Sequence, residues 1–570
     1  VPEQTRPDLP PHYYRDNFLH LCRTVEARYG DLLSPGERAL LERFSRATFA
    51  AQCLYVRLIS RVGPWFRTDR LDYPEIDDMP GALLTLEEIG LLLEADALPV
   101  EELGRLYTRE EIHAAFAGEL AVAATSGKPV LLAAMAELAP DPAQATHRLL
   151  QIHGGRLVAP AGGDDVQVLQ LLFFGNRRQS LTEFVLSDLG ILRFYLYDLD
   201  IETRLFSNRE ALEEYLACAG LSDRYRELLE ATDTAVEQAA VEQAAVEQAA
   251  GLEDLAREMA AFSPQYASSL PRWYRQCNNL GRELERRGRE DLAEQLYIGS
   301  ARHPARERRA RILERRGDWS TASALCEEIL ADPWCEEEAE AAGRILPRVR
   351  RKLGGDPVRR RRETFPRIDL CLPRQPARVE EMAAAALRAH WASVDYVENV
   401  LMNALFGLAF WEQIFAPVPG VFHNPFQSLP SDMYEGDFHQ RRQASIANRL
   451  AELESLDLER ELVAAYRRYH PCQCRWVNWR LLEEAQVQRA SSVIPASHLL
   501  TIWRRMLFDP RENRRGFPDL LALGDGAGDY CLIEVKGPGD ALQDNQRRWL
   551  RFFLDQGIPA TVAWVEWSDD

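Results

Sequence analysis

The chain is 570 residues long and 46% hydrophobic, enough for several separate cores and roughly three to five domains. A formal charge of −20 excludes general affinity for nucleic acid, so any contact with a polyanion must come from local basic clusters. The uncharged apolar run from Asn399 to Trp411 is too short to span a bilayer, so no membrane association is expected, and ten cysteines without zinc-ligand spacing read as reduced thiols.

From Asn17 to Gly63 the pattern predicts helices, with Arg57 and Arg61 one turn apart and Trp65 close by. That pair suits either a phosphate backbone or a solvated helix face. Thr85 to Glu88 and Thr108 to Glu111 each carry the Thr-x-x-Glu spacing of a helix start. Thr125-Ser126-Gly127-Lys128-Pro129 then opens an apolar run from Val130 to Leu138. Helix, glycine-bearing basic loop, helix resembles the small SAP-type DNA-binding module, and Lys128 at a helix N-terminus suits a phosphate. Val166 to Leu205 reads as buried helix without chemistry. The Val-Glu-Gln-Ala-Ala unit starting at Val236, Val241 and Val246 reads as a solvated helical extension. Leu284-Glu285-Arg286-Arg287-Gly288 returns 29 residues on as Leu313-Glu314-Arg315-Arg316-Gly317, with Ala293 matching Ala322 and Pro304 matching Pro333. Paired helices with glycine turns resemble tetratricopeptide repeats, which bind peptides; the arginines from Arg344 to Arg362 also permit a DNA-facing role.

Arg378 to Phe415 reads as a long helix carrying Asp395 and Glu398 one turn apart. A carboxylate among Val397, Val400, Leu401 and Met402 is costly unless exposed or bound to something, which makes Glu398 a candidate ligand with Glu412 as its competitor. Leu520 to Leu523 and Tyr530 to Val535 are strand-forming runs joined by the turn residues Gly524 to Asp529, a hairpin. The period of two puts Leu532, Glu534 and Lys536 on one face and Cys531, Ile533 and Val535 on the other. Asp540 with Gln543 has the spacing of a helix start, Gly557 stands where that helix ends, and Thr561 to Val565 supply another strand. Asp519 and Glu534 converging at the hairpin's end repel each other unless a cation lies between them, and hard oxygen ligands suit Mg²⁺ or Mn²⁺. Such a cation can hold a phosphodiester and activate a water, with Lys536 orienting that water or neutralising charge at phosphorus. Among the 68 basic residues only Lys128, Lys352 and Lys536 are lysines, so one placed two residues after Glu534 is about tenfold less expected by chance than usual.

Gly516-Phe517-Pro518-Asp519-Leu520, Ile533-Glu534-Val535-Lys536-Gly537-Pro538 with Asp540, and Gln546 with Trp549 resemble the VRR-NUC branch of the PD-(D/E)xK nucleases. Asn17-Phe18-Leu19-His20, Leu54-Tyr55-Val56-Arg57-Leu58, Leu71-Asp72-Tyr73-Pro74-Glu75-Ile76 and Phe406 to Phe415 extend the resemblance to the Fanconi-associated nucleases, from about residue 12 to the end. Elements and resemblance together imply a mostly α multidomain chain with a C-terminal α/β nuclease core. The expected division is an N-terminal helical domain (1–78), a SAP-like module (79–150), a helical domain with TPR-like repeats (151–375) and a VRR-NUC nuclease domain (376–570).

The resemblance implies a 5′-flap endonuclease and 5′→3′ exonuclease on branched DNA, including DNA around interstrand crosslinks. A Holliday-junction resolvase, or a helical-repeat scaffold with an inactive core, is the alternative. The implied metal ligands are Glu398, Asp519, Glu534 and the backbone carbonyl of Val535, with Lys536 at the water and Gln546 on the following helix near the site. Arg57, Arg61 and Lys128 are expected to grip one duplex arm, and Arg511 and Arg514 the strand to be cut. The ubiquitin-binding zinc finger of vertebrate members has no counterpart, so no ubiquitin recruitment is expected. Of their basic pocket for a 5′-phosphate, Arg511 matches one residue, while Asn545 takes the place of a lysine. A monomer from a GC-rich bacterium, cytoplasmic and associated with the nucleoid, is expected.

Overall fold

A computed structural model describes residues 10–61, 63–116, 119–120, 122, 126–177, 192–230, 238–356 and 363–568, and the chain divides into two units, 1–192 and 193–570. In the first, α1 (Tyr13–Tyr29), α2 (Pro35–Arg46) and α3 (Phe49–Ile59) bury Phe18, Leu21, Val25, Phe44 and Tyr55. Ser34 and Glu37 close a capping box at α2, with Pro35 at its first position, and Thr48 caps α3. A short antiparallel sheet takes β1 (Phe66–Arg67), β2 (Leu92–Glu94) and β3 (Leu157–Pro160) in the order β1-β3-β2. Five helices lie along the chain among these strands: α4 (Met79–Glu88), α5 (Val100–Leu106), α6 (Arg109–Ala115), α7 (Lys128–Leu138) and α8 (Pro142–His153). The capping box of Thr108 and Glu111 opens α6 as expected. Thr85 instead lies inside α4, which Asp78 caps, and its hydroxyl donates to the Gly81 carbonyl one turn back.

Among the described residues, the expected buried helix over Val166 to Leu205 is realised as α9 (Gly163–Phe174). Residues 178–191 lie outside the described residues, and 192–205 form no helix. In that stretch Tyr195 packs on Trp411, Phe415 and Tyr469, and Tyr197 on Phe415 and Phe422.

The second unit continues through α10 (Arg209–Glu230) and α11 (Gln238–Ala261), which holds the five-residue repeats from Gln238 onward; Val236 and Glu237 lie outside the described residues. Next come α12 (Leu270–Arg286), α13 (Glu290–Ile298), α14 (Ala305–Arg316), α15 (Trp319–Ala331) and α16 (Glu336–Lys352). The repeat in the sequence is thus two helical hairpins. Each turns on a glycine at the matching position, Gly288 at φ 75° and Gly317 at φ 78°, a region that side chains with a Cβ seldom adopt. Arg306 of α14 holds Glu338 of α16 through two buried hydrogen bonds of 3.0 and 2.7 Å. Arg348 pairs with Glu314 and Arg350 with Glu327, whereas Arg359 to Arg362 lie outside the described residues.

A five-stranded sheet follows, from β4 (Arg367–Leu372), β5 (Ser393–Tyr396), β6 (Leu520–Leu523), β7 (Tyr530–Lys536) and β8 (Ala560–Trp567) in the order β4-β8-β7-β6-β5. α17 (Val379–Leu387) covers one face, its Ala383, Ala384 and Leu387 packing in one core with Leu520, Ala522, Ile533 and Val535. The other face joins a core built with α18 (Val400–Ala409), α19 (Gln443–Ser455), α20 (Leu458–Tyr469), α21 (Glu484–Val493), α22 (Ala496–Phe508) and α23 (Asp544–Asp555). Leu532 meets Trp549, Leu550 and Phe553 of α23 in that core, so the alternation read from the sequence sends Glu534 and Lys536 to the side of α23.

The expected long helix from Arg378 to Phe415 is broken. α17 ends at Leu387, β5 pairs antiparallel with β6 over Ser393 to Tyr396, and α18 starts only at Val400. Pairing with a strand more than a hundred residues away overrides local helix propensity here. No helix among the described residues is long and apolar enough to cross a membrane.

Candidate active site

In the β6–β7 hairpin Leu520 stands opposite Ile533 and Leu521 opposite Leu532. Continuing that register by one residue sets Asp519 across from Glu534, on the face toward α23. The approach to Asp519 is fixed by packing: Phe517 stacks on Trp549 at 4.2 Å, and the Trp549 indole donates to the Arg515 carbonyl at 3.0 Å. Gly516, at φ 85°, lies so close to α23 that a Cβ would come within 2.8 Å of the Asn545 backbone.

Asp519 Oδ2 accepts from the Val535 N–H at 2.9 Å. Burial pushes its carboxyl up to about 6, with the Val535 N–H and the Lys536 charge opposing. Glu534 is 1% exposed and is pushed up to about 8, first by burial and then by the charge of Asp519, which lies within hydrogen-bonding reach. Its Oε1 receives Lys536 Nζ at 2.8 Å and a hydrogen bond from Gln546 Nε2, while its Oε2 is buried with no donor among the described residues. A buried carboxylate oxygen without a donor, beside a second carboxylate, is the environment a hard cation relieves, so these donors fit a divalent metal. Val535, between Glu534 and Lys536, borders the same spot with its backbone.

Gln546 reaches the site because α23 begins one turn later than Asp540 suggested. Gln543 is the N-cap and Gln546 completes the capping box, whereas Asp540 accepts from the Gly537 N–H at 2.9 Å and closes a turn.

Glu398 lies in the turn between β5 and α18 and not on a helix, at φ 33°, the one positive φ among the described non-glycine residues. The N–H groups of Val397 and Glu398 both donate to the Asp519 carbonyl, at 2.8 and 3.0 Å. The exposed Glu398 carboxylate accepts from the Tyr396 hydroxyl at 2.6 Å and from Asn399 Nδ2 at 3.2 Å. Its charge bears on Asp519, but no three His, Cys, Asp or Glu side chains among the described residues stand close enough to hold one ion. In this structure Asp519, Glu534, Lys536 and Gln546 come together, whereas the Glu398 carboxylate stands at the rim of that group. Glu412 is taken up by the hydroxyls of Tyr195 and Tyr469. Asp395 pairs with Arg489.

The basic candidates differ in their freedom. Arg57 is bound to Glu75 and stacked 3.8 Å over Tyr14, whereas Arg61 is exposed and donates to the Tyr73 hydroxyl at 2.9 Å. Lys128 opens α7 behind Gly127, which offers no side-chain cap. Arg514 donates to the Tyr434 hydroxyl at 3.0 Å and lies over its ring. Arg511 is exposed, and its charge crowds Arg275 and Arg302. Burial and then Arg511 and Arg275 hold Arg302 down at about 10, although Arg302 also pairs with Glu435. Sequence reading missed Arg275 and Arg302 in this cluster, and Tyr396, Asn399 and Glu380 beside the carboxylates. Glu380, in the first turn of α17, adds a further negative charge felt by Asp519 and Tyr396. No spacing links these residues, because separate elements deliver them.

A profile described as the VRR-NUC domain matches residues 454–567, one described as "FAN1, HTH domain" matches 12–93, and one described as "Fanconi anemia-associated nuclease SAP domain" matches 97–149. The chain is 34% identical to a Fanconi-associated nuclease 1 homolog of Pseudomonas aeruginosa, over 99% of this chain and 98% of that protein. It is also similar to a crystal structure of paFAN1 bound to 2nt 5′flap DNA with gap, at TM-score 0.81 and 33% identity, covering 99% of this chain and 100% of that one. A second paFAN1 structure, bound to 1nt 5′flap DNA with gap, gives TM-score 0.79 at 33% identity, covering 98% and 100%.

Proposed function

The chain belongs to the Fanconi-associated nuclease family, and we propose that it is a Mg²⁺- or Mn²⁺-dependent endonuclease and 5′→3′ exonuclease that cuts branched DNA at a 5′ flap, including DNA around an interstrand crosslink. One observation carries the reading: among the described residues Glu534 Oε2 is buried without a donor beside Asp519, at the end of a hairpin that also delivers Lys536. The likeness to structures bound to flap DNA supports the choice of substrate.

Asp519, Glu534, Glu398 and the Val535 carbonyl would hold the cation. When bound, it supplies a Lewis acid for the scissile phosphate and lowers the pKa of a water. Lys536 gives one of its three donors to Glu534 and has two left to orient that water and to meet charge developing at phosphorus. Gln546 fixes the Glu534 carboxylate from the other side. Arg511 and Arg514 hold the strand to be cut, with Arg275 and Arg302 adding charge at Arg511. Lys128, Arg61 and, less freely, Arg57 hold a duplex arm. In this reading the four-part division at residues 78, 150 and 375 separates duplex grip, helical repeats and chemistry. In this reading the protein acts as a monomer at the nucleoid in the cytoplasm.

Incubating Asp519→Ala with a labelled 5′ flap in Mg²⁺ or Mn²⁺ tests the reading. Cleavage should vanish while flap binding persists, and an active variant would overturn the assignment.

A further inference from the structure

The rim carboxylate is held by more than its own backbone. Glu398 at φ 33° occupies a conformation that is strained for a non-glycine residue, and the N–H groups of Val397 and Glu398 donating to the Asp519 carbonyl keep it there. That bond pair fixes where the side chain starts and says nothing about where its carboxylate goes. An exposed glutamate on its own is free to rotate about its side-chain bonds. Here both oxygens are occupied: Oε2 by the Tyr396 hydroxyl at 2.6 Å and Oε1 by Asn399 Nδ2 at 3.2 Å. Asn399 also accepts the Phe517 N–H on its own Oδ1 at 3.2 Å. Phe517 in turn stacks on Trp549 of α23, the helix that carries Gln546. Asn399 therefore joins Glu398 to the loop that leads into Asp519 and, through that loop, to the helix steadying Glu534.

We propose that Tyr396 and Asn399 are positioning residues that hold the Glu398 carboxylate at the rim of the site, from where it turns in to the cation held by Asp519 and Glu534. The proposal rests on the reading of this site as a cation site. Each Glu398 oxygen that accepts one hydrogen bond keeps a further lone pair, so the two donors restrict the carboxylate without using up its capacity as a ligand. Tyr396 ends β5, is 42% exposed at the rim and reaches Glu398 with its hydroxyl, so removing that oxygen leaves the strand and the ring in place. Partners that orient a metal ligand change metal affinity about 10–100-fold when they are lost.

The test is Mn²⁺ binding to the full chain without DNA, followed by paramagnetic resonance, together with the Mn²⁺ dependence of flap cleavage. Tyr396→Phe should weaken Mn²⁺ binding by about tenfold and raise the half-saturating Mn²⁺ concentration for cleavage equally, with the rate at saturating Mn²⁺ restored. Asn399→Ala should act in the same direction, with thermal melting to confirm that it folds. In a Glu398→Ala background Tyr396→Phe should add nothing, because the oxygens that Tyr396 orients are then gone. Unchanged Mn²⁺ affinity in folded Tyr396→Phe, or an equal loss in the wild-type and Glu398→Ala backgrounds, overturns the positioning role while leaving the nuclease reading intact. Wild-type protein that takes up no Mn²⁺ would overturn both.

Discussion

Cation binding at the hairpin should release a proton, and the structure sets the pH range. Without a cation, Glu534 is held up to about 8 by burial and by Asp519, and Asp519 up to about 6 by burial. A cation needs both groups ionised. At pH 7 about a tenth of Glu534 is ionised and at pH 9 about nine tenths, so Mn²⁺ affinity should rise about tenfold across that span and then level off. Affinity falls as pH falls, because protons compete for the same oxygens. Folding responds in the opposite sense: Glu534 is raised above its ordinary value of 4.5, so its contribution to stability is complete below that pH and is lost as pH rises through about 8. Titration calorimetry at pH 7 in buffers of different ionisation enthalpy should find about one proton released per Mn²⁺ bound, and Glu534→Gln should bring that count toward zero. No proton release, with an affinity flat from pH 7 to 9, would refute the argument that an unrelieved buried carboxylate prepares the site.

Gly516→Ala should lower the melting temperature and the cleavage rate together, because a Cβ within 2.8 Å of the Asn545 backbone, at φ 85°, costs about 1–3 kcal/mol and pushes the Asp519 loop off α23; an unchanged melt and rate would contradict it. Gln546→Ala should reduce cleavage about tenfold with flap affinity retained, since it removes one of two donors on Glu534 Oε1; a loss of flap affinity alone would place Gln546 at the DNA instead. Replacing Arg57 and Arg61 together by Ala should flatten the salt dependence of DNA binding by about one unit of slope, carried by Arg61, because Arg57 is already neutralised by Glu75; a slope change near two would mean that Arg57 leaves Glu75 for the phosphate.

What the sequence made legible was local. The strand, turn, strand, helix, strand order from Leu520 to Trp567 follows from period-two alternation and turn residues that need no distant partner, and the glycine turns of the helical repeat were readable for the same reason. The start of α23 was ambiguous, because Asp540 with Gln543 and Gln543 with Gln546 both have capping-box spacing. Contact with Glu534 favours the second. Between Arg378 and Phe415, alanines on one side and Val400 to Ala409 on the other masked a strand whose existence depends on β6, far along the chain. Tyr195-Leu196-Tyr197 carries an alternation of its own. The two tyrosines pack inward while Leu196 is 91% exposed, a period of two where a helix had been expected.

Counting arginines misleads in a chain this acidic, and pairing is the better guide to where DNA can lie. Along the helical repeats Arg308 and Arg315 share Glu285, Arg316 meets Asp291 and Glu294, Arg348 meets Glu314, and Arg350 meets Glu327. Those side chains are largely neutralised within the fold, so the arginine-rich look of that region gives little net field for a phosphate to meet. Arg511 and Arg275 differ, since neither has an ion pair among the described residues and each stands in the other's repulsive field. Burial first and then the charges of Arg511 and Arg275 lower Arg302, and those like charges leave a local positive field that a phosphate would relieve. Because Arg511 precedes Asp519 by only eight residues, it brings its charge to the same loop that delivers Asp519. A chain of charge −20 can therefore meet a DNA strand through a local positive field despite its overall acidity.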